Sequence, residues 1–288
     1  MNSFGQTFKF IREGKGKSLA EVARGHLSTS QLSRFENGES DITISKLFGV
    51  LAELNVDFDE YCYASQDFQR DELTIILEQL RQSIYGRDIM KIRKMLSDQL
   101  VKAQGDYRRE FYRLNAVLIK IKLSDLDQVT KVSLDELTYL TDYLFRVENW
   151  GYYELTLFAN TMDELNHSCT MLFCRELIKR TQYFSEIRQN RNVLSQILLN
   201  AYLVCIDRNK LSDAVYLEKI IKNNFFEETA VFDRILFRYG KGFYDYKKNK
   251  DQNGILEMRK CIGLLRAVDS QNIADWYEKC LENVIVND

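Results

Sequence analysis

Residues 28–40, STSQLSRFENGES, gather hydroxyls, side-chain amides and one guanidinium with almost no apolar bulk. Hydroxyls and amides of this size suit base edges and phosphate oxygens. The Arg34 guanidinium can donate twice to guanine O6 and N7, worth about 1–3 kcal/mol of discrimination. Lys15 and Lys17, with Lys9, lie upstream and suit phosphates, which set affinity without reading sequence. Catalytic chemistry finds no such concentration. The only histidines are His26 and His167, and G-x-x-x-x-G-K-[ST], G-x-G-x-x-G and H-E-x-x-H are all missing. His167, Ser168 and Cys169 are consecutive, but helix neighbours point about 100° apart and cannot pair a nucleophile with its base. No enzyme, and so no catalytic residue, is expected.

The six cysteines (Cys62, Cys169, Cys174, Cys205, Cys261, Cys280) form no C-x-x-C pair and lie near no histidine cluster. A metal site, a cofactor and a disulfide framework are therefore not expected, and the thiols read as small apolar residues of a reducing cytosol. The richest apolar run, LNAVLIKIKL, is broken by two lysines and falls short of the ~20 residues that cross a bilayer. MNSFGQTFKF lacks the apolar core of a secretory signal. A cytoplasmic protein without a membrane partner is the expectation.

The elements that hold these residues are helices. The 288-residue chain has no proline, where the usual ~5 % would give about 14. Proline breaks helix interiors, so its absence fits an all-α chain. The net charge of −2 conceals an asymmetry: residues 1–34 hold six basic against two acidic side chains, whereas residues 35–64 hold seven acidic against one basic. One basic face at the N-terminus fits this balance better than a general polyanion binder.

Ser18 to Glu21 and Ser28 to Gln31 both fit a capping box, placing helix starts at Ser18 and Ser28. Gly25 and His26 fall at the turn between them, and Gly38 at a left-handed C-cap. Phe4, Phe8 and Ile11, then Ile44, Leu47, Leu51 and Leu54, repeat at helical spacing. About five helices in residues 1–65 follow, with Leu19, Val22, Leu32 and Phe35 inward. FKFIREGKGKSLAEVA and HLSTSQLSRFENGES, within residues 4–64, resemble the lambda-repressor-like (XRE) helix-turn-helix family. By that resemblance Thr29, Ser30 and Arg34 face base edges, Ser28 meets a phosphate, and Arg12 pairs with Glu36 in the scaffold. Gln31, Ser33, Lys15 and Lys17 complete the expected DNA-binding set, although Gln31 equally serves its capping box. Leu19 stands where many relatives carry a backbone-gripping Gln, and Ser45 is either a dimer contact or an ordinary exposed residue.

Residues 66–288 read as helices of about 13 to 20 residues, interrupted near 85–88, 105–106, 124–133, 149–151, 166–168, 185, 207–212, 227–229, 248–253 and 269–271. Gly242, Gly254 and Cys261, with Met258 between, match the small-residue spacing of tetratricopeptide-type (TPR) helix pairs, and Ala201 and Ala214 mark a looser copy. The fold expectation is a five-helix helix-turn-helix domain followed by a TPR-like α-solenoid. Together with SLAEVA and FDEYCYASQDFQRDE, this layout resembles the Rgg family of bacterial transcription regulators. The resemblance implies a homodimer that reads an inverted-repeat operator in double-stranded DNA and binds a short hydrophobic signalling peptide, as in quorum sensing.

An extended peptide needs amides for its backbone and cations for its carboxylates. Arg81, Arg87, Arg146, Asn149, Asn160, Asn190 and Asn200 are candidates, with Tyr152 and Tyr153 as walls. The last hairpin presents Trp276, Leu281, Val284 and Ile285 either as a dimer surface or as the array's cap. The alternative is a non-sensing phage-type repressor or antitoxin-like regulator whose repeats bind a protein partner.

Overall fold

The computed structural model describes residues 4–65, 72–105, 107–127, 129–182, 186–224 and 228–286. Sixteen helices and no strand occur among the described residues. The chain divides into two compact units, through Gln82 and from Ser83 onward. The expected join at 65–70 (SQDFQRD) and the breaks at 106, 185 and 227 lie largely or wholly outside the described residues.

The first unit holds α1 (Phe4–Gly14), α2 (Leu19–Ala23), α3 (Thr29–Glu36), α4 (Ile44–Glu53), α5 (Phe58–Ser65) and most of α6 (Glu72–Tyr85). α2 and α3 start where the serines put them. Ser18 and Ser28 each close a complete capping box, with Glu21 and Gln31. Gly25 (φ 83°) supplies the turn between them and Gly38 (φ 73°) the exit from α3. The exit is a Schellman motif: Gly38 N–H donates to Phe35 O at 2.9 Å and Glu39 N–H to Arg34 O at 2.8 Å. Phe8, Val22, Leu32, Phe35, Leu51 and Tyr61 form the core. Burying each large apolar side chain contributes about 1.5–3 kcal/mol. Phe4 and Ile44 differ from the periodic expectation, being 65 % and 63 % exposed. Each opens its helix, so the apolar stripe begins before the core does.

The second unit continues with α7 (Ile89–Gly105), α8 (Arg109–Asp127), α9 (Leu134–Arg146), α10 (Tyr152–Thr161), α11 (His167–Thr181) and α12 (Arg188–Asp207). α13 (Leu211–Asn224), α14 (Val231–Asn249), α15 (Gln252–Ala267) and α16 (Gln271–Val286) complete it. α8 packs on α10, α10 on α12 and α12 on α14, so alternate helices form one layer. The hairpin partners α13 and α15 pack against α12 and α14.

Small residues set the α14–α15 crossing as their spacing predicts. A β-carbon on Gly242 would stand 2.7 Å from the Gly254 carbonyl oxygen, and one on Gly254 would strike the Gly242 carbonyl. Ala201 and Ala214, 1 % and 0 % exposed, are buried on the packed pair α12 and α13. In the last hairpin Trp276 and Ile285 are exposed, whereas Leu281 and Val284 are buried, as the cap alternative requires of a terminal helix. They share the inner face of α16 with Ala274 and Tyr277 at helical spacing.

Candidate nucleic-acid interface and ligand-facing layer

α3 has one apolar side and one polar side. Leu32, Phe35 and Glu36 are buried, whereas Thr29, Ser30, Gln31 and Arg34 are exposed and Ser33 is half-buried. Arg12 holds α3 in place. Its Nε and Nη2 donate to the Glu36 carboxylate at 2.6 and 2.7 Å, and its Nη1 to Lys17 O at 2.7 Å. The Glu36 hydrogen bond is the main cause that raises the Arg12 pKa, so the scaffold guanidinium stays charged. A β-carbon on Gly5 would collide with the Phe35 carbonyl, which is why α1 can lie so close to the end of α3.

At the start of α3, Ser28 Oγ accepts from Gln31 N–H at 3.1 Å and Gln31 Oε1 accepts from Ser28 N–H at 3.3 Å. The Gln31 carbonyl oxygen is thus engaged in the cap, while its amide NH2 keeps two donors. Arg34 stands 3.9 Å from Glu39, the carboxylate that the Schellman turn brings beside it. Lys15 Nζ donates to Asn55 O at 3.3 Å, and Lys17 Nζ lies 3.4 Å from Glu21. Both lysines are exposed. The turn between α2 and α3 carries a device that sequence reading missed. The His26 ring lies against Gly49 of α4 so closely that any β-carbon there would clash, and its Nε2 is 3.2 Å from Glu53 Oε1. Glycine at 49 was the available signal.

In the second unit the α9–α10 connection is built around Trp150. The ring is fully buried against Phe158 and Phe173, with centroids 5.5 Å from each. The Trp150 indole N–H donates to Val147 O at 3.1 Å, and Arg180 donates to Leu144 O and Val147 O at 2.7 and 2.9 Å, closing the end of α9. Asn149, Tyr152 and Tyr153 flank this anchor.

Arg146 and Tyr153 come together with residues that spacing did not single out. Arg146 pairs with Glu110 at 2.6 Å and lies over the Tyr143 ring. Tyr143 donates to Glu154 at 2.5 Å, and Tyr153 donates to Asn115 Oδ1 at 3.1 Å. Asn115 Nδ2 in turn donates to Gln99 Oε1 at 3.3 Å. Phe111, Tyr143 and Tyr153 pack edge to face, with centroids 5.1 to 6.3 Å apart. Burial is the main cause that raises both phenol pKa values, so Tyr143 and Tyr153 remain hydrogen-bond donors at any working pH. The cluster offers cation, carboxylate, amide and aromatic faces within a few residues.

The other sequence candidates are dispersed. Arg81 belongs to the first unit, and exposed Arg87 occupies the α6–α7 turn with φ 49°. Asn160 donates to Thr156 O of its own helix at 2.8 Å. Asn190 is buried, and Asn200 is exposed on α12. His167 Nε2 lies 2.9 Å from Asp213 Oδ2, tying α11 to α13 rather than facing Cys169. Among the described residues no group of three His, Cys, Asp or Glu side chains is placed to hold a metal, and no helix is long and apolar enough to cross a membrane.

Comparison with known proteins fits this geometry. The helix-turn-helix family matches residues 8–61, and the C-terminal domain of the HTH-type transcriptional regulator Rgg matches residues 93–279. The Streptococcus dysgalactiae SHP pheromone receptor Rgg2 is 27 % identical and superimposes with a TM-score of 0.82 over 97 % of this chain and 99 % of that one. A structure from Listeria monocytogenes EGD-e shares the fold at 20 % identity and a TM-score of 0.84, covering 99 % and 98 % of the two chains. A bacterial peptide pheromone/receptor complex shares it at 14 % identity and 0.73, again over 99 % and 98 %. With a helix-turn-helix head and the Rgg domain spanning most of the remainder, the chain belongs to the Rgg family of helix-turn-helix transcription regulators.

Proposed function

We propose that this regulator senses a short hydrophobic peptide in the cytoplasm and alters transcription from an inverted-repeat operator as a homodimer. The observation that carries the reading is the joining, on one chain, of an XRE-type head to an Rgg domain whose 27 %-identical relative is a pheromone receptor. Thr29, Ser30, Ser33 and Arg34 read base edges, with the Gln31 amide beside them. Ser28, Lys15 and Lys17 meet phosphates. Arg146, Asn149, Tyr152, Tyr153, Asn160 and Asn200 contribute to the peptide face, and Glu110, Asn115 and Tyr143 join them through the cluster around Arg146. A peptide shifts the regulator only by binding one arrangement of the dimer more tightly than the other.

Native mass spectrometry of the purified protein, after incubation with spent medium from its own host, tests this directly. A dimer that retains the mass of a short peptide supports the reading and supplies the ligand's sequence. A dimer that retains nothing, while a control receptor captures its own peptide from the same medium, assigns the array to a protein partner instead.

A further inference from the structure

The N-terminal ends of α12 and α14 enclose a cavity of about 140 Å³. Arg188, Arg191, Asn192 and Ser195 line it from α12, at the i, i+3, i+4, i+7 spacing of one helix face, and Thr229 and Asp233 line it from the α14 side. Ser195 Oγ donates to Asp233 Oδ2 at 2.9 Å across the two helices. The cavity lining thus holds two guanidiniums and one carboxyl, and burial pushes that carboxyl's pKa upward. α12 also begins with Ile187 at its N-cap and no acidic residue in its first turn, so its exposed amides add to the positive potential.

Other arginines of the array have carboxylates: Arg146 has Glu110, Arg175 has Asp213, Arg238 has Glu257 and Arg266 has Glu278. Arg188 has none among the described residues. Resting on the peptide reading above, we propose that this cavity is a carboxylate subsite. It receives a peptide carboxylate, either the C-terminus or an Asp or Glu side chain, on Arg188 and Arg191, while Asp233 accepts a neighbouring peptide N–H. The mixed lining follows from that chemistry. A guanidinium fork matches the two oxygens of a carboxylate, and an extended peptide presents an amide donor a few bonds away. Inorganic phosphate offers mostly acceptors, and Asp233 disfavours it.

The test uses the full chain and three pools of random apolar heptapeptides, with retained peptides counted by mass spectrometry. One pool has free C-terminal carboxylates and no acidic side chains, one is amidated throughout, and one is amidated with a single Asp per peptide. The native protein retains the free-acid pool, the Asp pool or both about tenfold or more above the neutral amide pool. Which pool is enriched identifies the source of the carboxylate. R188Q/R191Q erases the difference with an unchanged melting temperature, and R188K/R191K, which keeps charge but loses the fork, gives an intermediate preference. Equal retention of all three pools, or a preference that survives R188Q/R191Q, overturns the subsite and leaves peptide sensing standing. Retention of no pool by the native protein overturns both.

Discussion

Arg12 and Glu36 form a bidentate ion pair in the core of the first unit, at 2.6 and 2.7 Å, with only 7 % and 3 % of each residue exposed. The pair ties α1 to α3, and the Arg12–Lys17 carbonyl bond extends the tie to the turn before α2. Removing Glu36 leaves the buried Arg12 with only the Lys17 carbonyl and a 3.4 Å contact to Glu13, and breaking a buried pair costs about 3–5 kcal/mol. E36A should therefore lower hydrogen-exchange protection across α1 and α3 by orders of magnitude. R12M/E36L, which removes both charges together, should restore most of it. An E36A chain with native exchange over those helices would show that the pair is dispensable.

The proposed recognition face assigns reading and anchoring to different side chains. R34A should lose about 1–3 kcal/mol of preference at one guanine while the fold persists. K15Q should weaken every duplex alike and reduce the slope of log K against log salt by about 1. Titrations of operator and scrambled duplexes at several salt concentrations distinguish the two. Unchanged sequence preference in R34A would remove Arg34 from the readers.

Acid should destabilise the protein through two local carboxylates. The Ser18 backbone N–H, then the Ser18 hydroxyl and Lys17, lower Glu21 from 4.5 to about 2. The Thr130 hydroxyl, then the Thr130 N–H and Arg93, lower Asp127 from 3.8 to about 2. A folded-state pKa below the unfolded one means that the unfolded chain takes up protons first. The stabilisation is complete above the unfolded values and is lost as pH falls through them toward 2. E21Q and D127N should each flatten the fall in urea midpoint between about pH 5 and 2. An identical slope in both variants would place acid sensitivity elsewhere.

What was legible in the sequence is what is local in the chain. Ser18 with Glu21 and Ser28 with Gln31 are three residues apart, so a capping box can be read without a fold, and the Ser133–Glu136 box obeys the same rule. Glycine spacing likewise located the α14–α15 crossing, because close approach requires a missing β-carbon wherever the partner lies. The residues of the candidate ligand sites resisted for the opposite reason. Glu110 lies 36 residues from Arg146, and Ser195 lies 38 from Asp233. Nothing in either neighbourhood distinguishes these side chains from ordinary helix surface. No motif marks Arg188 and Arg191, which line one cavity with Asp233 only because α14 packs beside α12. Trp276, Leu281, Val284 and Ile285 stayed open between two roles because an apolar stripe does not itself say which side is covered.

Glycine also gives a prediction whose sign reverses within one helix pair. A β-carbon on Gly242 would lie 2.7 Å from the Gly254 carbonyl oxygen, with Glu257 Cβ and Met258 Cγ at 3.2 and 3.3 Å. The nearest obstacle is backbone and cannot rotate away, so α14 and α15 must separate. G242A should cost about 1–3 kcal/mol as an overpacked core does. Gly263 of α15 is exposed, and its added β-carbon would meet nothing within 4 Å. There alanine only removes glycine's excess unfolded-state freedom, and G263A should stabilise by about 0.5–1 kcal/mol. Both helices belong to the same hairpin, so urea unfolding followed by the combined fluorescence of Trp150 and Trp276, the two tryptophans of the chain, reports on each variant. Shifts of opposite sign would establish the close crossing. A G242A chain as stable as the native one would mean that the helices do not meet backbone to backbone at that point.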